Sequence, residues 1–406
     1  MPAPAPVRYL LRWFLIAIPV GALAGTASAA LLLSLDWATK TREAHPWLIA
    51  LLPVAGLSVG LLYHRFGQSV EAGNNLLLDE IHNPTNTIPL RMTPLVLFGT
   101  FLGHLFGASV GREGTAIQTG ASLADQLSKP LRLEPHDRRI LLMAGISAGF
   151  GSVFGTPLAG AIFGLEVLAI GKLRYDALLP CLLAALIADY VTPLWGVQHT
   201  VYRIPNIPAL TPIGFVLSIL AGIAFGLAAR TFAGLTHAIS ARTKRFIAYA
   251  PLRPFVGGIV IALAVFAIGT KYIGLGIPGI VASFHVPLPP WDFAAKMLFT
   301  AVSIGFAFKG GEVTPLFFIG ATFGNALGYI LPLPFPLLAG MGLCAVFAGA
   351  ANTPIASTLM AIELFGAEAG VYAAIACVVS YLLSGHSGIY RAQRIGHEKY
   401  PIMLQG

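Results

Sequence analysis

The sequence predicts an all-α, polytopic membrane protein in which some helices are broken, and three observations predict it. Only 10% of the 406 residues are charged while 56% are hydrophobic, against roughly a quarter charged in a soluble domain. Residues 13–35, 92–111, 204–229, 313–362 and 369–390 contain no Asp, Glu, Lys or Arg at all. The 45 Gly and 29 Pro recur inside these runs, so helices are expected to stop partway, which is tolerated only where the freed backbone lines a cavity or packs on protein.

About 20 apolar residues span a bilayer. The run from Trp13 is long enough for one crossing, and it is followed by further spans without a clear cleavage site. It therefore reads as a first membrane helix rather than a signal peptide. The run 313–362 is too long for one crossing and is broken at Leu331-Pro332-Leu333-Pro334-Phe335-Pro336, so it must hold several helices. None of these runs alternates apolar and polar residues, which excludes a membrane β-barrel and leaves helices. Mean hydropathy is +0.78.

A net charge of +8 would suggest nucleic acid in a soluble protein. Here the basic residues sit in short connections: Arg8 and Arg12, Lys129 to Arg139, five between Arg230 and Arg253, and Arg391 to Lys399. Topogenic charge is the better reading, which places the chain in the cell (inner) membrane with both termini cytoplasmic and expects no nucleic-acid partner. Cys181, Cys344 and Cys377 lie in apolar runs without metal-like spacing. They read as packing residues, and no metal or cofactor is expected.

The chain also resembles itself. Gly155-Thr156-Pro157 leads to Glu166, and Asn352-Thr353-Pro354 leads to Glu363, both pairs 197 residues apart. Glu113 and Glu312 are 199 apart, each after a Gly-x dipeptide, and Gly73 and Gly274 are 201 apart. Landmarks in one order at near-constant offset point to two related halves, residues 1–205 and 206–395, with a short tail at 396–406. Transporter sites commonly lie between such repeats and use the N-termini of broken helices.

The candidate chemistry sits at Gly111-Arg112-Glu113-Gly114-Thr115 and Gly310-Gly311-Glu312-Val313-Thr314-Pro315. Both read as loop-to-helix starts, with Pro315 early enough for its missing N–H to cost nothing. The first N–H groups of a helix have no internal partner and carry partial positive charge, so two such starts meeting at the midplane would bind an anion. A carboxylate there competes with that anion until it is protonated, which links anion and proton movement. The plainer reading, that Glu113 only pairs with Arg112, is weakened because adjacent helical residues do not face each other.

At this point the chain resembles the CLC family of chloride channels and proton antiporters. The segment Gly111 to Gly114 is similar to that family's gating-glutamate motif; Gly155 to Gly160 with Glu166, and Gly310-Gly311 with Pro315, match further landmarks. Gly388-Ile389-Tyr390 resembles the segment that bears the anion-contacting tyrosine. The resemblance spans about residues 13–395 and implies an inverted two-repeat fold with re-entrant helices, a homodimer with one pathway per subunit, and, after residue 395, no regulatory domain.

The departures narrow the substrate. Asn74-Asn75 stand where chloride-handling members carry a serine, Val313 replaces a phenylalanine, Glu312 is an added carboxylate, and Val167 stands where an inner proton-relay glutamate is expected. Together these resemble the fluoride/proton antiporter clade. Fluoride export in exchange for protons is therefore the implied function, a chloride/proton antiporter or chloride channel the alternative. Fluoride is small and strongly hydrated, and amide donors from Asn74 or Asn75 and a protonated Glu113 or Glu312 suit it. The candidate anion contacts are Asn74, Asn75, Arg112, Gly114, Val313, Thr314, Phe317, Phe318 and Tyr390, with Glu113 and Glu312 moving protons.

Other residues have plainer readings. Glu166 and Glu363 read as caps or structural pairs, and His104 as a hydrogen-bonded packing histidine. Phe317 and Phe318 read first as core, with an anion path as the alternative. Thr314 either back-bonds its own helix start or passes protons. A membrane hydrolase using Glu113 and Glu312 as an acid/base pair has little support: HExxH does not occur, and the two GxSxG matches, Gly107-Ala108-Ser109-Val110-Gly111 and Gly145-Ile146-Ser147-Ala148-Gly149, lie in apolar runs without the strand-to-helix turn that makes that serine a nucleophile. The chain is not expected to be an enzyme.

Overall fold

The structure, a computed structural model, describes residues 4–400, so residues 401–406 of the expected tail lie outside the described residues. It contains sixteen α-helices among the described residues. The first eight are α1 (Ala5–Ala44), α2 (Leu52–Phe66), α3 (Asn74–His82), α4 (Met92–Phe106), α5 (Glu113–Asp125), α6 (Pro135–Phe154), α7 (Pro157–Glu166) and α8 (Leu178–Leu194). The next eight are α9 (Pro212–Phe246), α10 (Leu252–Ile268), α11 (Ile277–Ala282), α12 (Asp292–Gly305), α13 (Val313–Leu327), α14 (Phe335–Ala351), α15 (Pro354–Phe365) and α16 (Ala367–Leu383). A two-residue parallel pairing joins β1 (Ala169–Ile170) to β2 (Arg394–Ile395).

Length separates the helices into two kinds. Four helical stretches, Pro6–Ala44, Pro46–Phe66, Tyr175–Leu194 and Pro212–Phe246, are long and apolar enough to cross a membrane. Helix α5 has 13 residues, or about 20 Å at 1.5 Å per residue, too short to cross. The run 313–362 holds α13, α14 and most of α15, and the proline cluster separates α13 from α14. The prolines at the starts of α7, α14 and α15 sit in their first turns, where no amide bond is lost.

The two sets of eight pack alike. Helix α1 lies on α8 and α6 on α5 and α8; in the second set α9 lies on α16 and α14 on α13 and α16. Helices α6 and α14 are buried along nearly their whole length, and their many Gly and Ala residues allow the close backbone approach usual between membrane helices. The sets join where α2 meets α10, α7 meets α15 and α5 meets α13.

At the α7–α15 junction each set caps the other. The Glu166 carboxylate accepts the N–H groups of Ile355 (3.0 Å) and Ala356 (2.8 Å) at the start of α15. Reciprocally, Glu363 accepts those of Leu158 (2.9 Å) and Ala159 (2.8 Å) at the start of α7. These carboxylates satisfy amides that a helix cannot satisfy itself, which is the capping read from the sequence. A second matched pair holds the loops before α4 and α12: Asp125 accepts from Ile88 N (2.7 Å) and Asn325 from Leu288 N (2.9 Å).

Candidate functional site

The site forms where the starts of α5 and α13 meet. Gly111 N donates to Gly311 O at 2.5 Å and Gly311 N to Gly111 O at 2.8 Å, an antiparallel bridge between two loops 200 residues apart. The chains come this close because neither has a side chain: a Cβ on Gly311 would stand 2.6 Å from Gly114 N. Helix α5 begins at Glu113, and α13 begins at Val313 with Pro315 third.

The bridge corrects the repeat register. Matching the two glutamates at an offset of 199 counted residue type, but the backbone pairs Gly111 with Gly311, and Asp125 plays the part of Asn325. At that offset of 200, Glu113 corresponds to Val313 and Glu312 to Arg112. The two carboxylates are therefore not repeat mates.

Glu113 is fully buried. Its Oε2 accepts the Thr314 N–H at 3.0 Å, and its Oε1 accepts the Thr314 hydroxyl. The carboxylate thus occupies the N-terminus of α13, the place where dipole and free amides favour an anion. Arg112 does approach it, donating its backbone N–H at 3.1 Å and placing Nε 3.7 Å from Oε1. That approach is open because Arg112 is the cap before α5 rather than a residue within it. The Thr314 contacts are closer, so the Arg112 pairing accompanies the helix-end contact and does not replace it. Thr314 gives its hydroxyl to Glu113, not to its own helix.

Two vestibules flank this plug, and Glu113 lines neither. One, of about 670 Å³, is lined by Asn74, Asn75, Gln118, Lys309, Glu312 and Tyr390 among others. The other, of about 1020 Å³, is lined by Arg42, Arg112, His199, Lys271, Gly276 and Ile277 among others. Repeat-related positions face different vestibules. Glu312 faces the first and Arg112 the second; Asn74 faces the first and Leu275, its mate at the offset of 201, the second. The C-terminal end of α9 lines the first and that of α1 the second. Matched positions of the two sets thus open to different vestibules, the pattern expected of an inverted repeat.

The remaining candidates divide. A Cβ on Gly114 would lie 3.2 Å from Asn74 Nδ2, so the Asn74 amide packs directly over the α5 start, and Asn74 Oδ1 is buried without a partner among the described residues. The Tyr390 hydroxyl is likewise buried and unpartnered, and its ring packs edge-on to Phe163 at 6.3 Å. Asn74, Val167, Phe163 and Tyr390 share a small apolar gap. Asn75 lines the vestibule but spends its oxygen on Ala392 N at 2.9 Å.

Val313 is fully buried at the first position of α13. Phe317 packs against Phe154 (4.9 Å) and Phe347 (5.6 Å), and Phe318 against Tyr272 (6.4 Å). Both are core residues, and neither lines the two vestibules. His104 gives Nδ1 to Thr100 O at 2.9 Å, in keeping with a packing role.

Several polar residues escaped the sequence reading. Lys296 is fully buried and donates to the carbonyls of Tyr272 (3.0 Å) and Gly274 (2.7 Å), fixing the loop before α11. Arg42 donates to the His104 carbonyl. Lys309 stands just before the glycine bridge with Nζ 3.9 Å from the Tyr63 ring centroid, a cation–π contact. A lone lysine inside an apolar helix is a signal the sequence does offer for Lys296. His199, in a polar connection, offers none.

With this geometry in place, comparison with known proteins is informative. Residues 55–385 match the family described as "Voltage gated chloride channel". A chloride/fluoride channel protein of Pseudomonas syringae pv. tomato is 61% identical over 399 residues, covering 97% of this chain and 88% of that protein. A crystal structure of a CLC-type fluoride/proton antiporter superposes with a TM-score of 0.92 at 35% identity, covering 95% of this chain and 98% of the other. A slow cyanobacterial chloride/proton antiporter shares the fold, with a TM-score of 0.79 at 21% identity over 96% of this chain and 97% of the other.

Proposed function

The chain belongs to the CLC family of voltage gated chloride channel proteins, and from that premise we propose that it exchanges fluoride for protons across the cell membrane. The observation that carries this reading is the Glu113 carboxylate seated on the Thr314 N–H and hydroxyl at the start of α13. A carboxylate held this way stands in for the transported anion. Protonation removes its charge and weakens both bonds, so the group leaves and fluoride takes the amide. Deprotonation reverses the exchange. One proton-carrying group and one anion position then alternate, without ATP or any cofactor.

Around that position Asn74 and the unpartnered Tyr390 hydroxyl supply donors, which suit an ion that surrenders its water only for short hydrogen bonds. Glu312, on the wall of the first vestibule, carries protons between that vestibule and Glu113, in place of the relay that Val167 cannot provide. Arg112, Gly114 and Val313 shape the pathway through their position beside the bridge. Phe317 and Phe318 support α13 from behind.

The vestibule lined by Lys244, Arg253 and Arg391 is the cytoplasmic one, since basic residues gather on that side, and both termini are then cytoplasmic. The halves divide near residue 205, in the connection before α9. Gate, bridge and both vestibules come from one chain, so each subunit carries its own pathway; the proposed assembly, by resemblance to the family, is a homodimer. Members of this family move ions as channels or transporters, which supports ion exchange over a hydrolase.

The test is anion-driven proton movement in liposomes containing the purified chain. An outward fluoride gradient should drive proton uptake, and an equal chloride gradient should drive much less. Asn74→Ser should erode that difference. Equal responses to the two anions in the parent chain would replace fluoride with chloride as the substrate.

A further inference from the structure

The cations on the wall of the second vestibule are nearly all paired. Lys40 pairs with Asp36 at 2.7 Å, Lys271 with Asp292 at 2.5 Å, and Arg42 donates to the His104 carbonyl. Arg112 differs. Its guanidinium makes no hydrogen bond among the described residues, Nε is buried without a partner, and its one ion pair is the 3.7 Å approach to a carboxylate already bonded to Thr314. His199 lines the same wall, and its Nε2 is also buried without a partner among the described residues.

His199 sits in a made-to-fit place. Helix α6 ends at Gly155 with φ +70°, and a Cβ there would stand 2.9 Å from the imidazole Cδ2. The glycine therefore both ends the helix and makes room for the ring. The carbonyl end of α6 favours a positive imidazole, whereas burial, and then the charge of Arg112, lower its pKa. The ring is held between these influences with a free nitrogen.

We propose that Arg112 and His199 form an outer anion post, a second binding site where a small hydrated anion rests between the gate and the open vestibule. Arg112 supplies a fixed charge and His199 one that switches. An anion on the post favours the protonated ring, so binding takes up a proton and tightens as the outside becomes more acidic. The other charges on this wall are Asp36, Lys40, Arg42, Glu43 and Lys271, with Glu113 and Tyr202 behind Arg112. Among the described residues Glu43 is the acid on the wall without an ion pair. The post rests on the anion-transport reading only for the identity of its ion.

The test uses the full chain with isotope-labelled histidines in detergent micelles, titrated by NMR with and without sodium fluoride at constant ionic strength. The imidazole signal that disappears in His199→Gln should titrate at higher pH when fluoride is present; an unmoved midpoint would overturn the post. In liposomes, His199→Ala should raise the external fluoride needed for half-maximal reverse exchange by roughly three- to tenfold, more than it lowers the maximal rate. An unchanged half-maximal concentration would also overturn it. Fluoride-driven proton flux is read in the same vesicles, so the post can fail while exchange stands, and loss of exchange in the parent chain would count against the exchange reading itself.

Discussion

Replacing Glu113 with glutamine tests the seat at the start of α13 quantitatively. In the structure the carboxylate accepts the Thr314 N–H at 3.0 Å and the Thr314 hydroxyl, with Arg112 Nε 3.7 Å away. Glutamine keeps the shape and one acceptor oxygen but loses the charge. Charge-assisted hydrogen bonds are about twice as strong as neutral ones, and the helix end adds up to ~2 kcal/mol for an anion in a buried geometry. The amide should therefore hold its seat less firmly than the carboxylate by about 2–3 kcal/mol. Fluoride competes for that seat, so its affinity should rise by about 30- to 150-fold, at 1.4 kcal/mol per tenfold. Calorimetric titration of sodium fluoride into wild-type and Glu113→Gln protein measures this directly. In liposomes the same variant should pass fluoride without moving protons. Equal fluoride affinity in the two proteins would refute the competition, and proton pumping by the variant at the wild-type ratio would refute the gate.

Three further outcomes follow from other contacts. Glu312→Gln should slow coupled exchange at least tenfold, about 1.4 kcal/mol in the barrier, with fluoride binding largely kept; normal turnover in a flux assay would make Glu312 a wall residue only. Glu166→Ala and Glu363→Ala should each cost about 2–5 kcal/mol, because each strands two helix-start amides now bonded to a carboxylate; thermal unfolding in detergent reads this, and a loss confined to one variant would break the reciprocity. Gly311→Ala should abolish transport and lower thermal stability, since its Cβ would stand 2.6 Å from Gly114 N; an active, stable variant would show that the bridge can open without penalty.

Much of this arrangement was legible in the sequence, and the parts that were not have identifiable causes. Charge-free runs and buried prolines expose a helical membrane protein because the bilayer punishes both charge and unpaired backbone. The Gly-x-Glu starts expose the gate because a carboxylate in such a run is costly. Residue matching alone, however, aligned Glu113 with Glu312, whereas the glycine bridge aligns Glu312 with Arg112. Linear offsets also carry no direction, so only the vestibules revealed that Arg112 and Glu312 face different openings. Asn74 and Asn75 looked equivalent until the Ala392 amide claimed one oxygen. His199 could not be singled out, because its neighbours Arg112 and Gly155 come from distant parts of the chain.

The central claim is that one seat at the start of α13 alternates between the Glu113 carboxylate and fluoride, so that anion and proton must exchange. Its most direct measurement is proton uptake by liposomes loaded with fluoride, with the parent chain and Glu113→Gln compared in parallel. Proton uptake driven by fluoride in the parent, and fluoride leak without proton movement in Glu113→Gln, is the predicted result. Fluoride flux that moves no protons in the parent chain would contradict it.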